Sequence, residues 1–306
     1  MTVFLTLIFK IIPLYFLIIL GFISGKYLKI SKETVAKLLI YIIVPAIIFN
    51  SVFTTPITVN ILVVPVLFYF LSCFMCLITL KLSKYFWSDS TKNILAFTAG
   101  DANTGYFGLP VAIALFGPGI AGVWMISTFS FVIYENTLGF FVTARGHHTA
   151  KESIIRLLKI PTIYAFVIAL ILNLTGVKFG PGYTDFMTLF RGAFTILGMM
   201  LIGLGLAGIN SYKFDFKFVT ATFLAKFIIW PILIFTIITL DKAFFGFFTE
   251  QIYRIMILVS VVPLAANTVA FATELNAHPE KASFAVLLST LFALFYIPLV
   301  SMIFLS

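Results

Sequence analysis

Charge is what this chain lacks most. Only 10% of its 306 residues are Asp, Glu, Lys or Arg, against about a quarter in a soluble domain. That excludes a hidden soluble domain of any size. Cysteine is nearly absent too: Cys73 and Cys76 are the two present. Their spacing resembles a redox or metal pair, but neither a second pair nor histidines accompany them. They read as inert residues of an apolar segment. The chain carries no Gly-Lys-Thr phosphate loop, no metal-ligand spacing and no nucleophile with a paired base. Neither a cofactor nor a metal is expected, and an intramembrane enzyme is a remote reading.

Apolar residues fill the space that charge leaves. The chain is 61% hydrophobic, with a mean hydropathy of +1.14. A spanning helix needs about 20 apolar residues. Ten such segments can be read, at 3–24, 35–54, 59–80, 92–116, 120–143, 154–174, 185–208, 216–239, 252–274 and 281–304. Only short loops are left between them. The first runs straight into the rest and does not read as a cleaved leader. The expected fold is an all-α membrane protein of about ten spans in a lipid bilayer.

A net charge of +9 could suggest nucleic acid, but the distribution points elsewhere. Lys26, Lys29, Lys32 and Lys37 follow span 1, and Lys81, Lys84 and Lys92 separate spans 3 and 4. Arg145, Lys151, Arg156 and Lys159 separate spans 5 and 6; Lys213 and Lys217 separate spans 7 and 8. His147 and His148 fall in the same basic loops. Loops 55–58 and 117–119 have no basic residue. Positive loops stay in the cytoplasm, so both termini are expected outside a cell membrane, with no nucleic-acid partner. The loop between spans 9 and 10, with Lys281 against Glu274 and Glu280, is the least decisive.

The chain also repeats itself. Ala102-Asn103-Thr104 in span 4 returns as Ala266-Asn267-Thr268 in span 9, 164 residues on. Lys10-Ile11-Ile12-Pro13 is echoed by Lys159-Ile160-Pro161, and Ser127-Thr128 by Ser289-Thr290, 162 residues on. Two halves, 1–146 and 147–306, would hold five spans each. An odd number makes the second half enter from the opposite face, an inverted repeat.

Helices in lipid avoid Asn, Gly and Pro together, because freed backbone groups find no water. Span 4 crowds Gly100, Asn103, Gly105, Gly108 and Pro110 into one stretch, and span 9 places Pro263 before Ala265-Ala266-Asn267. Both read as broken helices whose exposed backbone ends bind a substrate. Asn103, Thr104, Gly105, Asn267 and Thr268 are the candidate substrate ligands. Gly108, Pro110 and Pro263 are the breakers, and Asn50, after Pro45 in span 2, either lines the site or caps. The plainer alternative is that both Asn residues only plug the breaks.

Two intramembrane acids, Asp101 and Glu135, are functional candidates because charge is costly there. Either could carry a proton, hold a cation or pair with a base. Glu135 has no acidic counterpart in the second half, where the residue is Ile297, and could instead pair with Lys226 or Arg254. Lys226 itself could snorkel to the cytoplasmic surface or face an anionic substrate. Gly198, Gly203, Gly205 and Gly208 of span 7 read as helix-packing residues.

The stretches NTGYFGLPVAIALFG and PLAANTVAFATELNAHPEKASFAVLLSTLFALFYIPL resemble the auxin efflux carrier family, most closely its prokaryotic branch. Phe271-Ala272, Glu274, Asn276 and His278-Pro279 also match the plant PIN-FORMED carriers. The resemblance implies a fold like bile-acid symporters and sodium/proton antiporters, with crossed broken helices 4 and 9. It implies a scaffold of spans 1, 2, 6 and 7, which also forms a homodimer surface, and a transport core of spans 3–5 and 8–10. It further implies alternating-access transport of a small organic anion such as malate, malonate or auxin, with Asn103, Pro110, Pro263 and Asn267 as crossover residues. The plant proteins have Pro just before the first Asn; here Ala102 follows Asp101. An acid beside an anion site calls for a proton or sodium ion. The alternatives are a sodium-coupled symporter of a bile-acid-like solute and a membrane receptor that senses a ligand on a transporter fold.

Overall fold

The computed structural model describes residues 3–144, 152, 155, 157–180, 182–208 and 215–304. Arg145, His147, His148, Lys151, Arg156 and Lys213 lie outside them. Among the described residues the chain is helical, with no strand. The first half contributes α1 (Val3–Lys26), α2 (Lys32–Thr54), α3 (Val59–Ser83), α4 (Thr91–Ala99), α5 (Leu109–Phe116) and α6 (Pro118–Thr143). The second contributes α7 (Pro161–Leu174), α8 (Gly182–Ala207), α9 (Phe216–Phe245), α10 (Glu250–Val261), α11 (Asn267–Glu274) and α12 (Pro279–Phe304).

Seven of these, α1, α2, α3, α6, α8, α9 and α12, are long and apolar enough to cross a membrane. The other three spans read from the sequence are shorter pieces. Span 4 is α4 and α5 with a gap between them, span 9 is α10 and α11 with a gap, and the described part of span 6 is α7. Phe9, Phe16, Ile19, Phe70 and Phe74 stand exposed on α1 and α3. Apolar residues turned outward are what a lipid surface accepts, and they account for much of the phenylalanine.

Proline sets three of the five π turns among the described residues. The helix widens into a π turn at Leu39–Ile43, Thr104–Gly108 and Ala225–Ile229. Each turn ends two residues before a proline: Pro45, Pro110 and Pro231. Proline clashes with the carbonyl four residues back and cannot donate to it, so the ladder opens there. The freed carbonyl of Phe227 accepts from the Tyr296 hydroxyl at 2.7 Å.

Small residues set the packing. α1 lies along α8, and a Cβ on Gly203 would come within 2.0 Å of the Ile18 carbonyl oxygen, as one on Gly21 would meet Met200. Gly198 sits against Tyr106, but Gly205 and Gly208 meet nothing closer than 3.7 Å. Gly205 and Gly208 keep ordinary contact distances, so within the stripe only Gly198 and Gly203 are packed more closely than that. α7 packs on α2, and the Asn173 carboxamide donates to the Val52, Phe53 and Thr55 carbonyls at 2.8–3.0 Å, ending α2.

Three loops meet on one face. Lys281 pairs with Asp215 at 2.8 Å and donates to Thr91, while His278 reaches Asp89 at 2.9 Å. Lys281 is thus held by Asp215, and the loop before α12 shares the face of the basic loops. Burial pushes the Asp215 carboxyl up, but the hydrogen bond and charge of Lys281 outweigh it and leave it below the usual carboxylate range.

Gly203→Ala is expected to destabilise the protein by about 1–3 kcal/mol, since the added methyl meets backbone that cannot move aside. Gly205→Ala should be neutral. Thermal unfolding of the two variants in detergent checks the contrast.

Candidate functional site

The two gaps touch. α4 ends at Ala99 and the helix resumes at Thr104; α10 ends at Val261 and α11 begins at Asn267. Between them the Asn103 N–H donates to the Pro263 carbonyl at 2.9 Å. Each gap thereby satisfies a backbone group that the other exposes. The remaining ends are capped by side chains. The Trp230 indole N–H donates to the Ala99 carbonyl at 2.7 Å and that of Trp124 to the Thr104 carbonyl at 2.9 Å. Tyr134 donates its hydroxyl to the Phe97 carbonyl at 2.9 Å, and the Leu264 N–H donates to Ser289 Oγ at 3.2 Å.

The residues singled out in the sequence take distinct places here. Asn103 Oδ1 accepts from the Phe107 N–H at 3.2 Å, capping the Thr104–Gly108 turn, while its Nδ2 is buried with no partner. Asn267 donates from Nδ2 to both carboxylate oxygens of Glu135, at 3.0 Å each. The two carboxamides share one cavity without bonding each other. Thr104 and Gly105 line that cavity. Thr268 is buried with its hydroxyl unpartnered and is not in the lining. Gly108 packs on the Trp124 ring, and Pro110 sits in the first turn of α5.

Behind the gaps lies a buried charge cluster. Asp101 Oδ1 accepts from the Ala102 N–H at 2.8 Å, and the carboxyl lies within electrostatic reach of Glu135 and Lys226. Lys226 is 0% exposed. It does not snorkel: its ammonium donates to the Val259 carbonyl at 3.0 Å and lies over the Trp230 ring. Val259 belongs to the last turn of α10, where the helix end carries partial negative charge, so the amine is held inward. Glu135 is engaged by Asn267, and Arg254 is exposed.

Three cavities follow one seam. The central one, about 100 Å³, is lined by Asn103, Thr104, Gly105, Glu135 and Asn267. It is continuous with a second of about 400 Å³, sharing Val44, Tyr106, Val132, Glu135 and Asn267 and reaching Lys159 and Glu274 toward the basic face. The third, about 330 Å³, lies at the opposite end and holds Asn50, Arg191 and Gln251. Asn50 is therefore a residue of the third cavity, away from the two gaps. At the third cavity the seam is tight: a Cβ on Gly122 would overlap the Thr55 hydroxyl.

Sequence reasoning passed over Arg191, although it lies within an apolar span and the rule that flagged Asp101 and Glu135 applies to it equally. The Trp124 and Trp230 bonds carried no signal, since an indole in an apolar run reads as core.

Comparison with known proteins agrees with this architecture. The family model described as "Membrane transport protein" matches residues 6–301. The chain is similar to the "Uncharacterized transporter YfdV" of Escherichia coli (strain K12), 24% identical over 301 residues that cover 92% of each chain. The protein of that name in Shigella flexneri matches equally. The chain is a multi-pass membrane protein that belongs to the membrane transport protein family, the auxin efflux carrier-like transporters whose broken-helix motifs it resembles.

Proposed function

We propose that the chain is a secondary transporter that moves a small organic anion, such as a carboxylate or auxin-like acid, across the cell membrane by alternating access. The observation that carries this reading is the contact between the two helix gaps, with a polar cavity beside it that opens toward the basic face. The ten spans would form two inverted repeats, with α4–α5 and α10–α11 as the crossed pair. The scaffold, and a homodimer surface, would come from α1, α2, α7 and α8. The core would come from α3–α6 and α9–α12.

The chemistry at the gap favours an anion bound with a proton. The first turn after Asn103 has N–H groups without intrahelical partners, at the positive end of a helix. The free Nδ2 of Asn103 adds a donor. Glu135 opposes an anion in two ways: by its charge, and by engaging the donors of Asn267. Protonation of Glu135 removes the charge and weakens its hold on Asn267, which then turns to the substrate carboxylate. Asp101, Lys226 and Tyr106 are the other ionisable groups facing this point. The central cavity beside the gaps, about 100 Å³, is on the scale of a small acid.

In proteoliposomes, Asn103→Ala and Asn267→Ala should each reduce organic-acid flux roughly tenfold or more, the scale of a lost charge-assisted hydrogen bond. Normal flux through both variants would refute the assignment. Glu135→Gln should remove the acid stimulation of flux while substrate binding persists. A pH profile parallel to that of the unmodified protein would take Glu135 out of the coupling.

A further inference from the structure

The third cavity, the outer one on the transport reading, plays no part in the binding step above, yet its lining carries a cation and two carboxamides. It opens between α2 and α8 on one side and the starts of α6 and α10 on the other. Arg191 lies nine residues into α8, roughly 13 Å along the axis, flanked by Leu189, Phe190 and Phe194. A guanidinium keeps its charge, and a charge at that depth is costly unless it serves a purpose. Among the described residues no carboxylate pairs with it.

The neighbouring groups fit an anion. The Asn50 carboxamide makes no side-chain hydrogen bond among the described residues, and neither does that of Gln251. The Thr54 and Thr55 hydroxyls are already bonded to the Asn50 and Ser51 carbonyls. α6 begins at this cavity, at Pro118, and presents partial positive charge to it; α10 reaches it through Gln251, while Glu250 at its start pairs with Lys242. Phe194, one turn from Arg191 on α8, lines the central cavity. One helix thus borders both chambers.

We propose that this chamber is a second carboxylate subsite, at which Arg191 holds the organic acid as it arrives at or leaves the outer face. Arg191 offers a fork of two N–H donors to the carboxylate, and Asn50 and Gln251 bond the rest of the solute. The proposal rests on the transport reading, and it prefers a dissolved acid to a lipid phosphate because scaffold and core helices wall the chamber on both sides.

Phenylglyoxal, which modifies guanidinium groups, tests the subsite directly. In purified protein, millimolar malonate or indole-3-acetate should slow modification of Arg191 severalfold and leave the exposed Arg254 unchanged, as read by peptide mass spectrometry. Failure of both acids to protect, or equal protection by chloride, would overturn the proposal. So would protection by phosphatidylglycerol alone. In proteoliposomes, Arg191→Gln should raise the KM for acid presented at the outer face roughly tenfold or more. The KM at the basic face should not change, and Arg191→Lys should retain part of the outer affinity. Equal effects at both faces would also overturn it. Protection without any flux would keep the subsite and refute the transport reading instead.

Discussion

A polypeptide in hydrocarbon must satisfy its own backbone, and this protein interrupts two helices where no water can help. The bond from the Asn103 N–H to the Pro263 carbonyl is the local answer. It makes each gap the hydrogen-bond partner of the other, so neither can move alone without exposing polar groups worth several kcal/mol. The side chains around the gaps continue the same logic. Trp230, Trp124, Tyr134 and Ser289 each reach from another helix to a backbone group that the breaks leave open. The polar site is thus a by-product of satisfied backbone, with a few donors left over.

Those leftover donors sit beside charge of both signs. Lys226 is turned toward the carbonyl end of α10, Glu135 is tied to Asn267, and Asp101 lies within reach of both. None of the three is accessible from lipid. Such a cluster lowers the cost of buried charge only as a set, because removing one member leaves the others uncompensated. An occupant of the gap therefore meets an arrangement whose members respond together.

Much of this was legible in the residue order. Asn, Gly and Pro in apolar runs marked both gaps, because those residue types have a cost in lipid that only a break explains. Lysine placement along the loops marked the basic face, and the family motifs were readable directly. What could not be read was direction. Nothing in the sequence tells that Lys226 turns inward rather than to the surface, since both orientations begin from the same position on a helix. Asn50 follows a proline in an apolar span as the gap residues do, yet α2 carries it to the third cavity. The Glu135–Asn267 bond spans 132 residues and depends on how the halves dock, a tertiary fact without local pattern. Arg191 was legible and was overlooked, because a lone cation among phenylalanines blends into its span.

The indole bonds have an optical consequence. Trp124 and Trp230 both donate to carbonyls that flank the first gap, while the third indole, Trp87, lies in the loop before α4. Two of the three indole chromophores are thus hydrogen-bonded to the edges of that gap. On the transport reading, a rearrangement of the gap would register in their ultraviolet emission without a dye, a tag or a cysteine handle.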